Sequence, residues 1–105
     1  MMADRTDRRA HRRLRAGDCN LQSARVRPGH DLGIVNISAT GILVESSYRL
    51  LPGMRVDVRL GRNQHPIEVV RGCVLRCAVA DLRPDRISYR GAIAFDRALN
   101  WLGHR

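Results

Sequence analysis

A chain of 105 residues has room for one domain with one modest core and is too short for two. Its formal net charge of +9 points to an anionic partner, whether nucleic acid, a nucleotide or an anionic membrane surface, and does not choose among them. The aromatic share of only 4% leaves a core to be filled by aliphatic side chains and argues against a broad stacking platform.

All 19 basic residues are arginine. A GC-rich genome would account for that bias, yet guanidinium also offers a planar fork for phosphate or the Hoogsteen edge of guanine that lysine cannot imitate. Cys19, Cys73 and Cys77 are odd in number and lack metal-type pairing, which fits a reduced compartment. No apolar stretch follows the charged start and no run approaches the ~18 apolar residues of a membrane span, so a soluble, cytoplasmic protein without membrane contact is expected.

In chain order, residues 1–17 carry Arg5, Arg8, Arg9, Arg12, Arg13 and Arg15 with few apolar groups and read as a basic arm. Residues 18–105 read as the folded domain, an all-β unit of short aliphatic runs punctuated by Gly, Pro, Asn and Asp. The runs are Leu21 to Arg27, Leu32 to Ser38 and Ile42 to Ser46, with Ala39 to Gly41 a reversal or kink at which Gly41 would supply unusual backbone angles. In MRVDVRL, Met54, Val56, Val58 and Leu60 alternate with charged residues, giving one buried and one wet face.

The fifth run places Ile67, Val69, Cys73, Leu75, Cys77 and Val79 on one parity, predicting both cysteines on the core side, with a candidate bulge at Gly72. After a polar turn at Ala80 to Arg86, a sixth run sets Ile87, Tyr89, Gly91, Ile93 and Phe95 on one side. Asp96 is placed to cap a short terminal helix, RALNWL, ended by Gly103. Six antiparallel strands without strand-helix alternation predict a small closed or nearly closed barrel.

Two short patterns bear on chemistry. Arg9 and Arg13 form R-x-x-x-R, as do Arg8 with Arg12 and Arg5 with Arg9; residues four apart share a side in a strand and a face in a helix, so two guanidinium groups can converge on one ligand. The plain alternative is a solvated basic tail. The second pattern, NISATG, has the form [DN]-x-S-x-x-G, with Asn36 and Ser38 on one side of a strand ahead of Gly41. Its polar groups could meet a base edge or phosphate, or could serve only as an Asx or Ser turn.

Together, an R-x-x-x-R arm, a gap of about 22 residues and [DN]-x-S-x-x-G entering a hydrophobic strand resemble the PilZ domain family, bacterial receptors for cyclic di-GMP. Further likeness lies in ILVES after the motif, in Leu51-Pro52-Gly53-Met54 before the alternating strand, and in YRGAIAF before the closing segment, covering roughly Arg8 to Leu99. The resemblance implies a six-stranded antiparallel PilZ-type β-barrel with a short C-terminal helix and a flexible N-terminal arm that wraps over ligand. It implies cyclic di-GMP-binding residues Arg9 and Arg13 with Arg8 as helper, and Asn36, Ser38 and Gly41 from the strand motif; Arg8 with Arg12 is the alternative pair. Asn36 stands where many members have Asp and brings one acceptor and one donor group in place of two acceptor oxygens.

On this reading the protein is a second-messenger receptor that orders its arm on ligand and signals to an unidentified protein partner. No catalytic residue, metal site or cofactor is expected, because the four histidines are scattered and Ser38 has no base. The competing readings are a basic β-barrel that binds RNA or single-stranded DNA, and a PilZ-type module that docks proteins without ligand.

Overall fold

The computed structural model describes residues 13–15, 21–26 and 30–102. Six antiparallel strands, β1 (Leu21–Val26), β2 (His30–Ser38), β3 (Gly41–Ser46), β4 (Arg55–Arg62), β5 (Glu68–Arg83) and β6 (Arg86–Phe95), close into a barrel in the order β1-β2-β3-β6-β5-β4. β3 leaves its neighbour in sequence to pair with β6, and β4 returns to β1, which removes the sheet edges that an open meander would expose. Among the described residues no helix is long and apolar enough to cross a membrane.

The interior is aliphatic, as the composition requires. Ile37, Ile42, Val58, Leu60, Val70 and Ile93 are all buried to within 1%. β4 keeps the alternation read from its sequence, with Val56, Val58 and Leu60 inside, while Met54 precedes the strand and is exposed.

β5 departs from its predicted face. Val70, Gly72 and Val74 point inward, whereas Ile67, Val69, Leu75 and Val79 are about half exposed or more. The neighbours decide this: β4 sets Val58 opposite Val70 and Val56 opposite Gly72, and β6 sets Ile93 opposite Val74, so even-numbered residues of β5 must share the core face. A register shift between Val74 and Arg76 then reverses the parity, and Cys77 packs partly against the core while Cys73 is only half-buried. Gly72 is not the bulge. A Cβ there would lie 2.6 Å from the Ala94 carbonyl oxygen, so the glycine permits a close approach of β5 to β6. The β5–β6 turn is also tighter than the polar stretch suggested, since both strands continue to a two-residue turn at Pro84 and Asp85.

The predicted terminal helix does not form: residues 96–102 run as bends and turns, and Gly103 lies outside the described residues. Apart from a turn bond from Leu102 N–H to the Leu99 carbonyl, their backbone is held by the barrel. Asp96 N–H donates to the Arg71 carbonyl and Leu99 N–H to the Ala39 carbonyl, each at 2.8 Å. Leu99 is fully buried, and Asp96 forms an ion pair with Arg55 in place of a cap. Trp101 Nε1 donates to Glu68 Oε1 at 2.7 Å, Arg97 bridges to the other Glu68 oxygen, and the Arg62 guanidinium lies 4.0 Å from the Trp101 ring centroid. Burial alone would raise the Glu68 pKa, but the hydrogen bonds from Trp101 and Arg97 and the charges of Arg97 and Arg62 outweigh it and hold the carboxyl below its ordinary value.

Candidate functional site

NISATG forms the end of β2, a two-residue turn at Ala39 and Thr40, and the start of β3, with Ser38 paired to Gly41. The Ser38 hydroxyl is buried in that turn, accepting from Thr40 N–H at 3.3 Å and lying 3.5 Å from the Gly41 carbonyl. This is the Ser-turn geometry, which fixes the reversal. Gly41 has no positive φ; its role is steric, because a Cβ there would meet the Ile93 carbonyl oxygen at 2.8 Å. Beneath the turn, Phe95 N–H donates to the Thr40 carbonyl at 2.8 Å, so the closing segment holds the reversal from below.

The described part of the arm docks beside this turn. Leu14 exchanges two backbone hydrogen bonds with Ile37, of 2.6 and 2.7 Å, forming an isolated antiparallel bridge. The bridge carries Arg13 over the strand motif, where its Nη1 donates to Asn36 Oδ1 at 3.1 Å and to the Gly41 carbonyl at 3.3 Å. Residues 23 and 28 positions apart thus meet at one point. Of the expected site residues, Arg13, Asn36 and Gly41 are brought together and Ser38 lies buried alongside; Arg8, Arg9 and the alternative Arg12 lie outside the described residues.

An open cleft of about 360 Å³ begins here, within the usual size of small-ligand sites. Arg13, Asn36, Thr40 and Gly41 line one end. Leu43, Ala92 and Ala94 form the floor on the outer face of β3 and β6, and Leu75 and Arg76 of β5 line the far side. The lining contains two guanidinium groups and no carboxylate, so it is suited to an anion or to an acceptor-rich ring. The floor is low because β6 presents two alanines outward and β3 a glycine, where bulky side chains would fill the depression.

The chain matches no protein-family model, no curated protein and no solved structure. Its own residues therefore carry the functional argument.

Thr40, Leu75 and Arg76 escaped sequence reasoning. Thr40 sits inside the quoted motif, at a position the motif leaves open. For Arg76 no local signal exists: it lies within the apolar run VLRCAV, and its direction depends on the register shift after Val74, which neither Gly nor Pro marks.

Proposed function

We propose that the protein is a PilZ-type receptor for cyclic di-GMP, a cytoplasmic signalling module of a bacterium without enzymatic activity, and that it acts through a protein partner. The observation that carries this reading is the Leu14–Ile37 bridge, which seats the Arg13 guanidinium on Asn36 and Gly41 at the mouth of a cleft without carboxylates. Half of the R-x-x-x-R pair and the strand motif thereby address one space.

The ligand offers two phosphates and two guanines, and each guanine presents O6 and N7 as paired acceptors. Arg13 would supply one fork, steered by Asn36, while Arg9 with Arg8 would close from the arm onto phosphate and the second guanine edge. Ser38 has a supporting part, holding the turn that presents the Gly41 carbonyl to Arg13. Several such contacts, at ~1–3 kcal/mol each, are enough for micromolar binding near −8 kcal/mol after the arm's ordering has been offset. Ordering of the arm would then create or hide a surface for the partner.

Calorimetric titration of the purified chain tests the reading. Saturable binding of cyclic di-GMP is expected, weakened at least tenfold by Arg13→Ala or Arg9→Ala. No heat at ~100 μM ligand, about a hundred times a micromolar dissociation constant, would overturn it. Binding of RNA with a steep log-log salt dependence and indifference to those two arginines would favour the basic-barrel alternative.

A further inference from the structure

Arg76 is exposed and makes no hydrogen bond or ion pair with the described residues, yet it occupies a defined place in the sheet. The ladders give a continuous cross-strand row on the outer face of the barrel: Asn36 of β2 opposite Leu43 of β3, Leu43 opposite Ala92 of β6, and Ala92 opposite Arg76 of β5. Directly opposed residues of neighbouring strands point to the same face, so Asn36 and Arg76 are the two polar ends of one row with a low apolar floor between them.

A register shift lies beside each end of the row. The β2–β3 register shifts between Ile34 and Asn36, and the β5–β6 register shifts between Val74 and Arg76. Bulges commonly re-aim side chains next to binding sites. Register shifts also occur away from the cleft, between Leu21 and Ser23 and between Val79 and Asp81, so it is the row and its place in the cleft lining that put Arg76 opposite Asn36.

From β2 to β5 the row crosses three strand spacings, about 14 Å between backbones. With Arg13 resting on Asn36, that separation suits a ligand of nucleotide size lying across the floor, its phosphate at the Arg13 end and its base over Ala92. A single inorganic anion cannot span it.

We infer that Arg76 is a specificity-determining residue of the cleft, donating its fork to O6 and N7 of the guanine whose phosphate lies at Arg13. The inference rests on the receptor reading and extends it, naming the base that the cleft selects and the side chain that selects it. Adenine presents a donor where guanine has O6, so the same fork would reject it. Arg76 has the freedom for this task, whereas the Arg13 guanidinium is already committed in part to Asn36 and Gly41.

The test titrates the full chain with cyclic di-GMP and, separately, with cyclic di-AMP, for the wild type, Arg76→Ala and Arg76→Lys, each first shown to melt like the wild type. The wild type is expected to prefer the guanine ligand at least tenfold. Both variants are expected to lose about tenfold for cyclic di-GMP and little for cyclic di-AMP, lysine failing to rescue because it keeps the charge and lacks the fork. Wild-type affinity in Arg76→Ala, rescue by Arg76→Lys with equal losses for both nucleotides, or equal wild-type affinity for the two would each overturn the assignment of Arg76 while leaving the receptor reading in place. Absence of any cyclic di-GMP binding by the wild type would overturn the receptor reading itself and the inference with it.

Discussion

Replacing Gly41 by alanine probes the joint on which the site depends. The added Cβ would stand 2.8 Å from the Ile93 carbonyl oxygen and 3.8 Å from Nη2 of Arg13. The nearer neighbour is backbone of β6, so strand separation, not a rotamer change, must relieve the contact, by roughly half an ångström. Overpacking of this kind costs about 1–3 kcal/mol, which lowers Tm by at least ~4 °C for a domain of this size. Because Arg13 bonds the Gly41 carbonyl, the same displacement should loosen Arg13 and weaken cyclic di-GMP binding several-fold. Gly53→Ala is the control: Gly53 has φ of 87° with open space around its Cβ position, so alanine there strains the backbone and destabilises without touching the cleft. Thermal melting and calorimetry on both variants separate the effects. Gly41→Ala that melts and binds as the wild type does would refute the steric account of the motif glycine, and equal losses of binding in both variants would show that only stability had been measured.

Leu99→Ala removes a fully buried side chain from beneath the β2–β3 turn and is expected to cost ~2–5 kcal/mol, a fall of at least ~8 °C in Tm; an unchanged melt would mean that the closing segment does not pack there. Arg13→Lys keeps the charge and loses the fork, so binding should weaken at least tenfold, and wild-type affinity in that variant would reduce Arg13 to a simple point charge. Glu68 titrates below its ordinary value of 4.5 when folded, so its support of the Trp101 contact is present above that pH and is lost as pH falls through the lowered value. The emission of Trp101, the one tryptophan in the chain, should therefore shift to the red below about pH 4.5. Glu68→Gln should lack that step; an identical acid shift in the variant would place its origin elsewhere.

The strands were legible wherever local alternation and tertiary pairing agree. β4 is the clear case: its neighbours merely confirm a face that Val56, Val58 and Leu60 already declare. β5 has apolar residues on both parities, Val70 and Val74 as well as Val69, Leu75 and Val79, so its face is chosen by the registers with β4 and β6 and was not readable from the run itself. The terminal segment failed for a related reason. Leu99 and Leu102 fit a helical spacing, but the backbone N–H of Leu99 finds a better acceptor at Ala39, and Trp101 is held through Glu68.

In the candidate site, the resemblance of the two sequence motifs implied which polar residues would gather, and Arg13 does meet Asn36 and Gly41. Ser38 takes the Ser-turn role, one of the two alternatives that the sequence left open, its hydroxyl meeting Thr40 N–H and the Gly41 carbonyl. The motifs could not place Arg76, whose direction is fixed by an unmarked bulge.

Residue-resolved NMR of the full chain during addition of cyclic di-GMP tests the central claim most directly. Saturable amide shifts are expected at Arg13 to Arg15, Asn36 to Gly41 and the β5 bulge around Arg76, with little change on the opposite wall at Arg25 and Arg59. A spectrum unchanged at saturating nucleotide, or shifts confined to the β1–β4 face, would contradict it.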